Sequence, residues 1–359
     1  MSEPLIEPEL ERETAVPSPT PTVQATPPMV IQEEEIDKKA EILRFLEDTA
    51  AADRVIAGQN VGMASGDGTD FVLDIGQFNG LSRKPGVFAV DLGWFTDFST
   101  EEINPTLIDE IEAAWQAGSL VTISMHMAHP VNFGGEDEQG VPFVYSDVVT
   151  DGTAVNQNFL TMMRNAADYL QLLEARGVVV LIRPFHEMNG GWFWWGHSNN
   201  WPTPEEFGRL WEYVHYYFET DRGLDNLIWV YSPNMQFDDS LKPTSYYYPG
   251  DAYVDMVCMD YYFDDLSAMN SNSSWDDLIA LGKPLCLGEI GPNLGGELDG
   301  RYDTLNFLDL VEYDVSYFVA WNSWPSGLVS IRDAQNGDQM LASDRIVTQD
   351  EMTIFTVGE

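Results

Sequence analysis

Val178-Val179-Val180-Leu181-Ile182-Arg183-Pro184-Phe185-His186-Glu187 is a short apolar run that ends in a guanidinium, an imidazole and a carboxylate. An apolar stretch of this length reads as a buried strand. Seven others resemble it, at 54–59, 86–91, 120–126, 226–232, 254–262, 283–289 and 317–322. Helical candidates fall between most of them, clearest at 104–118, 155–177 and 203–220. The last of these opens Thr203-Pro204-Glu205-Glu206, a capping and first-turn sequence. Eight strands with intervening helices predict an α/β protein: a single (β/α)8 TIM barrel, closed and parallel rather than an open sheet.

The ends of these runs share a second property. On the C-terminal side stand Gln59, Asp91, His126, Glu187, Asn234 just past its strand, Asp260 with Tyr262, Glu289, and Trp321 with Asn322. Any one of them could be polar only because a strand end reaches water. Eight ends behaving alike point to one shared face, the C-terminal mouth where barrels of this type carry their sites.

The chain has 359 residues, a length one barrel domain can use, and the catalytic domain is expected over 37–359. Residues 1–36 mix Glu with Pro and Thr, a composition that buries no core, and are expected to form a disordered tail or linker. Asp and Glu number 59 against 17 Lys and Arg, a formal charge of −42. Such a surface repels phosphate backbones and anionic lipid, so nucleic acid and membrane are poor partners and an uncharged ligand suits it best. Only eight of the acids lie in residues 1–35, so the remainder decorate the folded domain. Solubility, or life in salty water where screening weakens self-repulsion, accounts for them without catalysis. No apolar run reaches the roughly 18 residues of a membrane span, and no basic segment leads into an apolar one at the N-terminus. A soluble, extracellular monomer is expected, with no export signal visible in the chain.

Beyond Glu187 the sequence continues Met188-Asn189-Gly190-Gly191-Trp192-Phe193-Trp194-Trp195-Gly196. Indole faces stack on pyranose rings, while Arg, Asn and His bond hydroxyls at sugar edges. Not all three tryptophans can stack on sugar, so at least one belongs to the core. A glutamate among indoles is partly desolvated, which raises its pKa and suits it to general-acid work. A second carboxylate, Glu289, lies in Leu287-Gly288-Glu289-Ile290-Gly291 at the end of the seventh run, across the barrel mouth from the fourth. Glycosidic cleavage needs such a pair, retaining at about 5–5.5 Å apart and inverting at about 6.5–9.5 Å.

The run Arg183 to Gly196 resembles the signature of glycoside hydrolase family 26, and the likeness extends over roughly 50–350. It takes in His126, the Tyr248-Pro249-Gly250-Asp251 approach to the sixth strand, Asp260-Tyr261-Tyr262, Gly288-Glu289 and Trp321-Asn322-Ser323. The resemblance implies a (β/α) barrel and retaining hydrolysis without metal or cofactor, most often of β-1,4-mannan. Glu187 then matches the acid/base and Glu289 the nucleophile. His186 matches the neighbour holding the site, and Tyr262 the tyrosine that bonds the nucleophile. Arg183, Trp192 and Trp321 match positions lining the subsites beside the cleaved bond, and His126 matches a sugar-contacting histidine. Two departures bear on substrate preference: Met125 precedes His126 where the family pattern has Trp, and His129-Pro130 replaces Asn-Pro.

Endo-β-1,4-mannanase on a neutral β-linked polysaccharide is therefore the leading expectation. A β-1,3-1,4-glucanase or β-1,3-xylanase would share the machinery, and a non-catalytic carbohydrate-binding protein would share the scaffold. His126, His129, His186 and His197 lack the spacing of a zinc hydrolase, so no metal is expected. Cys258 shares strand phase with Asp260 while Cys286 is out of phase with Glu289, which predicts two free thiols facing opposite sides of neighbouring strands.

Overall fold

The computed structural model describes residues 37–64, 71–92, 104–135, 137, 140–196, 202–264, 273–293, 299–324, 327–352 and 354. The predicted tail, 1–36, and His197 lie outside them. The eight predicted strands are all present: β1 (Val55–Asn60), β2 (Val87–Asp91), β3 (Leu120–Ser124), β4 (Val180–Arg183), β5 (Leu227–Tyr231), β6 (Met256–Tyr262), β7 (Leu285–Gly291) and β8 (Val315–Ala320). Each pairs in parallel with the next, and β8 returns to β1 through Ile56 opposite Tyr317 and Gln59 opposite Ala320, closing the barrel. Near-continuous burial along every strand follows from closure, since one face packs the interior and the other meets the helices.

Local sequence sets the helices. α1 (Lys38–Ala51) precedes β1, and α2 (Pro105–Gln116) lies between β2 and β3, with the Asn104 side chain accepting from the Thr106 N–H. α3 (Ala154–Ala175) starts at Thr153, which accepts from Asn156 N. α4 (Pro204–Tyr216) opens with the reciprocal Thr203–Glu206 capping box read in the sequence, a device worth about 1 kcal/mol. Its inner stripe, Phe207, Leu210, Trp211 and Val214, is buried, each such side chain contributing on the order of 2 kcal/mol. A two-residue strand at Ile346–Val347 pairs with the start of β1, below the point where β2 begins its pairing at Gly58. It fills the gap that the stagger of β1 and β2 leaves at the N-terminal end.

Four strand ends fall short of their sequence runs, β5 by one residue, β8 by two, and β3 and β4 next to the cleft. β4 stops at Arg183 because Pro184 brings no N–H to the ladder. Phe185 and Glu187 then take left-handed φ values of 53° and 55°. For residues with a β-carbon this costs on the order of 1 kcal/mol or more each. The turn is held from two sides: the Glu187 N–H donates to Ser232 O at 2.7 Å, and the buried Phe185 ring packs against Trp194, Trp195, Phe207 and Trp211. β3 likewise ends at Ser124, two residues before His126.

The expectation of two free thiols is wrong: Cys258 and Cys286 form a disulfide, their Cα atoms 4.3 Å apart. They are opposite each other in the β6–β7 register, which then shifts so that Asp260 faces Glu289. Gly288 is the extra residue, a β-bulge that breaks the alternation on which the phase argument relied. A glycine is required there because a β-carbon would lie 2.6 Å from both Asp260 Oδ1 and Ser232 Oγ.

Candidate active site

The strand ends converge on a cleft of about 790 Å³ lined by His126, Glu187, Trp192, Phe193, Asn234, Phe237, Tyr262, Phe263, Glu289, Asn293 and Trp321. Six of the eight predicted site residues line it, and Arg183 and His186 are buried directly beneath. The sequence marks Asn234 only as a strand end and gives no signal for Phe237, Phe263 or Asn293. They lie on loops, where no strand or helix period marks a side chain as facing inward.

Glu289 rises from β7 and is held by two donors. Arg183 Nη2 donates to its Oε1, and the Tyr262 hydroxyl donates to its Oε2 at 2.7 Å. Arg183 Nη1 spans both oxygens of the fully buried Asp260 at 2.9 and 2.8 Å. Burial works against the Arg183 charge, but the Asp260 and Glu289 carboxylates more than reverse that, so its pKa stands above the ordinary value. Burial, then the Glu289 charge, lifts the Tyr262 hydroxyl well above its usual range and keeps it a donor.

Glu187 faces the same cleft from the turn after β4 in different company. Asn234 Nδ2 donates to its Oε1 at 2.8 Å and Trp192 Nε1 donates to its Oε2; both donors are uncharged. Gly190 lets the Trp192 indole lie against the turn, since a β-carbon would collide with the ring. Burial first, and then the Glu289 charge, push the Glu187 pKa up to about 7 despite those two bonds. Oxygen atoms of Glu187, Asp260 and Glu289 lie within 4.8 Å of one another, the arrangement among the described residues best able to take a cation. Arg183 already meets two of the three.

Of the tryptophans, Trp194 and Trp195 are core: both are buried, and they donate to Met127 O and His186 O at 2.9 Å. Trp192 and Trp321 are left to line the cleft. His126 Nδ1 lies 2.6 Å from Asp91 Oδ2, and its Nε2 lies 3.0 Å from His186 Nε2. His129 is remote from this pair in role, its Nδ1 accepting from Val131 N within its own loop.

The sequence profile of Glycosyl hydrolase family 26 matches residues 32–338. The chain belongs to this family. A mannan endo-1,4-beta-mannosidase of Bacillus subtilis (strain 168) is 33% identical over 259 residues, 69% of this chain and 69% of the relative. A second from Bacillus subtilis is 31% identical over 255 residues, 68% of each. Among solved structures, Bacillus subtilis mannanase man26 aligns with a TM-score of 0.72 at 27% identity, covering 89% of this chain and 94% of that one. The protein is a glycoside hydrolase of family 26 on a (β/α)8 barrel, and the expected fold and family both hold.

Proposed function

We propose that this family 26 enzyme is an endo-β-1,4-mannanase acting on mannan or glucomannan with retention, Glu187 serving as acid/base and Glu289 as nucleophile. The observation carrying this reading is that two buried glutamates within reach of one another have opposite surroundings. Glu187 is kept protonated near neutrality, and Glu289 is tied to a guanidinium and a phenol. The 4.8 Å bound on their oxygens favours the short separation of retaining enzymes over the gap that inverting ones leave for water.

Glu187 protonates the glycosidic oxygen as the bond to the anomeric carbon breaks, and a Glu289 oxygen bonds to that carbon, giving a glycosyl ester. Glu187, now a carboxylate, takes a proton from water. The water oxygen attacks the anomeric carbon, the ester bond breaks, and Glu289 returns as a carboxylate. Two displacements restore the original configuration. Trp192 and Trp321 supply ring faces, and His126, Arg183, His186 and Tyr262 hold the polar side of the site. The relatives named as mannan endo-1,4-beta-mannosidases support the choice of substrate. The substrate, a neutral polysaccharide, and the acidic surface suit action outside the cell, by a monomer and without cofactor. Within the described residues no helix is long and apolar enough to cross a membrane.

Reducing-sugar release from β-mannan, glucomannan, mixed-linkage β-glucan and β-1,3-xylan, at low and high salt, tests the reading. Short manno-oligosaccharides from the first two are expected. Release from only the glucan or the xylan would transfer the substrate assignment, and no release from any of them would remove it.

A further inference from the structure

Asp91 ends β2, is fully buried and takes no part in the bond changes above. Its Oδ1 accepts the His126 backbone N–H at 3.0 Å, and its Oδ2 accepts the Ser124 hydroxyl at 2.7 Å and faces His126 Nδ1 at 2.6 Å. An ionised carboxylate only accepts, so Nδ1 of His126 carries a proton, and in the neutral ring Nε2 is then an acceptor. The ring and main-chain N–H of His126, with Ser124, overcome the cost of burial and hold the Asp91 pKa below the usual value. At the other end of the ring, His126 Nε2 meets His186 Nε2, and one of the two must donate. His186 is fully buried and its Nδ1 has no hydrogen-bond partner among the described residues. A proton placed there would be a stranded donor, which folded proteins avoid. The His186 proton therefore belongs on Nε2, which also faces Glu289 Oε1 at 3.7 Å.

We propose that Asp91 is a positioning residue: through His126 it holds His186 in the Nε2–H tautomer, so that an N–H and not a lone pair faces Glu289. Around Glu289, Arg183 and Tyr262 supply the other donors, while Asp260 and Glu187 are the acids that oppose its charge. Burial above all, with the Arg183 charge beside it, holds the His186 pKa well below its usual value. The ring is thus neutral, and its tautomer decides whether it helps or hinders a carboxylate. The proposal rests on the reading of Glu289 as nucleophile only for its kinetic consequence.

Asp91→Asn is the direct test. The amide oxygen would keep the His126 main-chain N–H, placing the amide N–H group against His126 Nδ1. That nitrogen must then give up its proton, the ring takes the Nε2–H form, and His186 is forced to accept. A fall in kcat of about 10²-fold is expected, with the acidic limb of the kcat profile moved to higher pH. In ¹⁵N spectra the His126 proton should pass from Nδ1 to Nε2. Ser124→Ala removes another donor from the same carboxylate without touching either ring, and should lower Tm while leaving kcat and the acidic limb near native. Native kcat and an unmoved acidic limb in Asp91→Asn, or equal kinetic losses in both variants, would overturn the proposal. Should Asp91→Asn fail to fold, the native ¹⁵N spectrum decides: His186 protonated on Nε2 supports it, and on Nδ1 refutes it. A native protein inert on every glycan but with these tautomers would count against the proposed function alone.

Discussion

Glu187 and Glu289 open onto one cleft, are both more than nine-tenths buried, and differ in what touches them. Neutral donors meet Glu187, so burial and the neighbouring charge prevail and its pKa rises to about 7. A guanidinium, itself neutralised by Asp260, meets Glu289. One side chain type thus meets two electrostatic environments, fixed by strand ends on opposite sides of the barrel, with the bulge at Gly288 aiming one and the strained turn at 184–190 aiming the other.

The comparison breaks most completely at Arg183. Arg183→Met would leave Asp260 and Glu289 buried without their cation, a loss of about 3–5 kcal/mol of stability together with activity, measurable by chemical denaturation and by turnover. Glu187→Gln should cost about 10²–10⁴-fold in kcat on polysaccharide, and far less in kcat/KM on an aryl glycoside whose leaving group needs no proton, since kcat/KM does not sense the later step in which Glu187 acts as base.

The same variant sharpens the comparison through stability. The folded pKa of Glu187, about 7, stands above its unfolded value of 4.5. Its contribution is therefore fully present below pH 4.5 and is lost as pH rises through 7. Glu187→Gln, which cannot ionise, should raise Tm relative to native more at pH 8 than at pH 5; the reverse order would contradict the pKa assignment. The smallest effect is expected at Trp192→Phe. The indole N–H favours the charged form of Glu187, so removing it should shift the alkaline limb of kcat/KM upward by a fraction of a pH unit, with part of the sugar stacking retained.

Much of this arrangement is legible in the residues alone, because a buried strand writes itself as an apolar run and a barrel mouth gathers the residues that end such runs. Arg183, Glu187, Tyr262 and Glu289 could be placed that way. The disulfide could not, because alternation along a strand holds only where the ladder is regular, and the bulge at Gly288 adds one residue between Cys286 and Glu289. A glycine inside a strand beside a functional carboxylate was the available signal. The limits of β4 were overrun for a related reason: Phe185 is as apolar as the strand before it, and only Pro184 marks the break. Asp91 was visible as a strand end, but its bonds to Ser124 and His126 depend on the neighbouring strand.

The central claim is that Glu289 becomes the covalent carrier of the sugar. Incubating the enzyme with a 2-deoxy-2-fluoro-β-manno-oligosaccharyl fluoride, followed by proteolysis and peptide mass spectrometry, tests it most directly. The account predicts one added glycosyl unit on the peptide that contains Glu289, with inactivation in proportion. A label on Glu187 or Asp260, or a first-formed product of inverted configuration from native substrate, would contradict it.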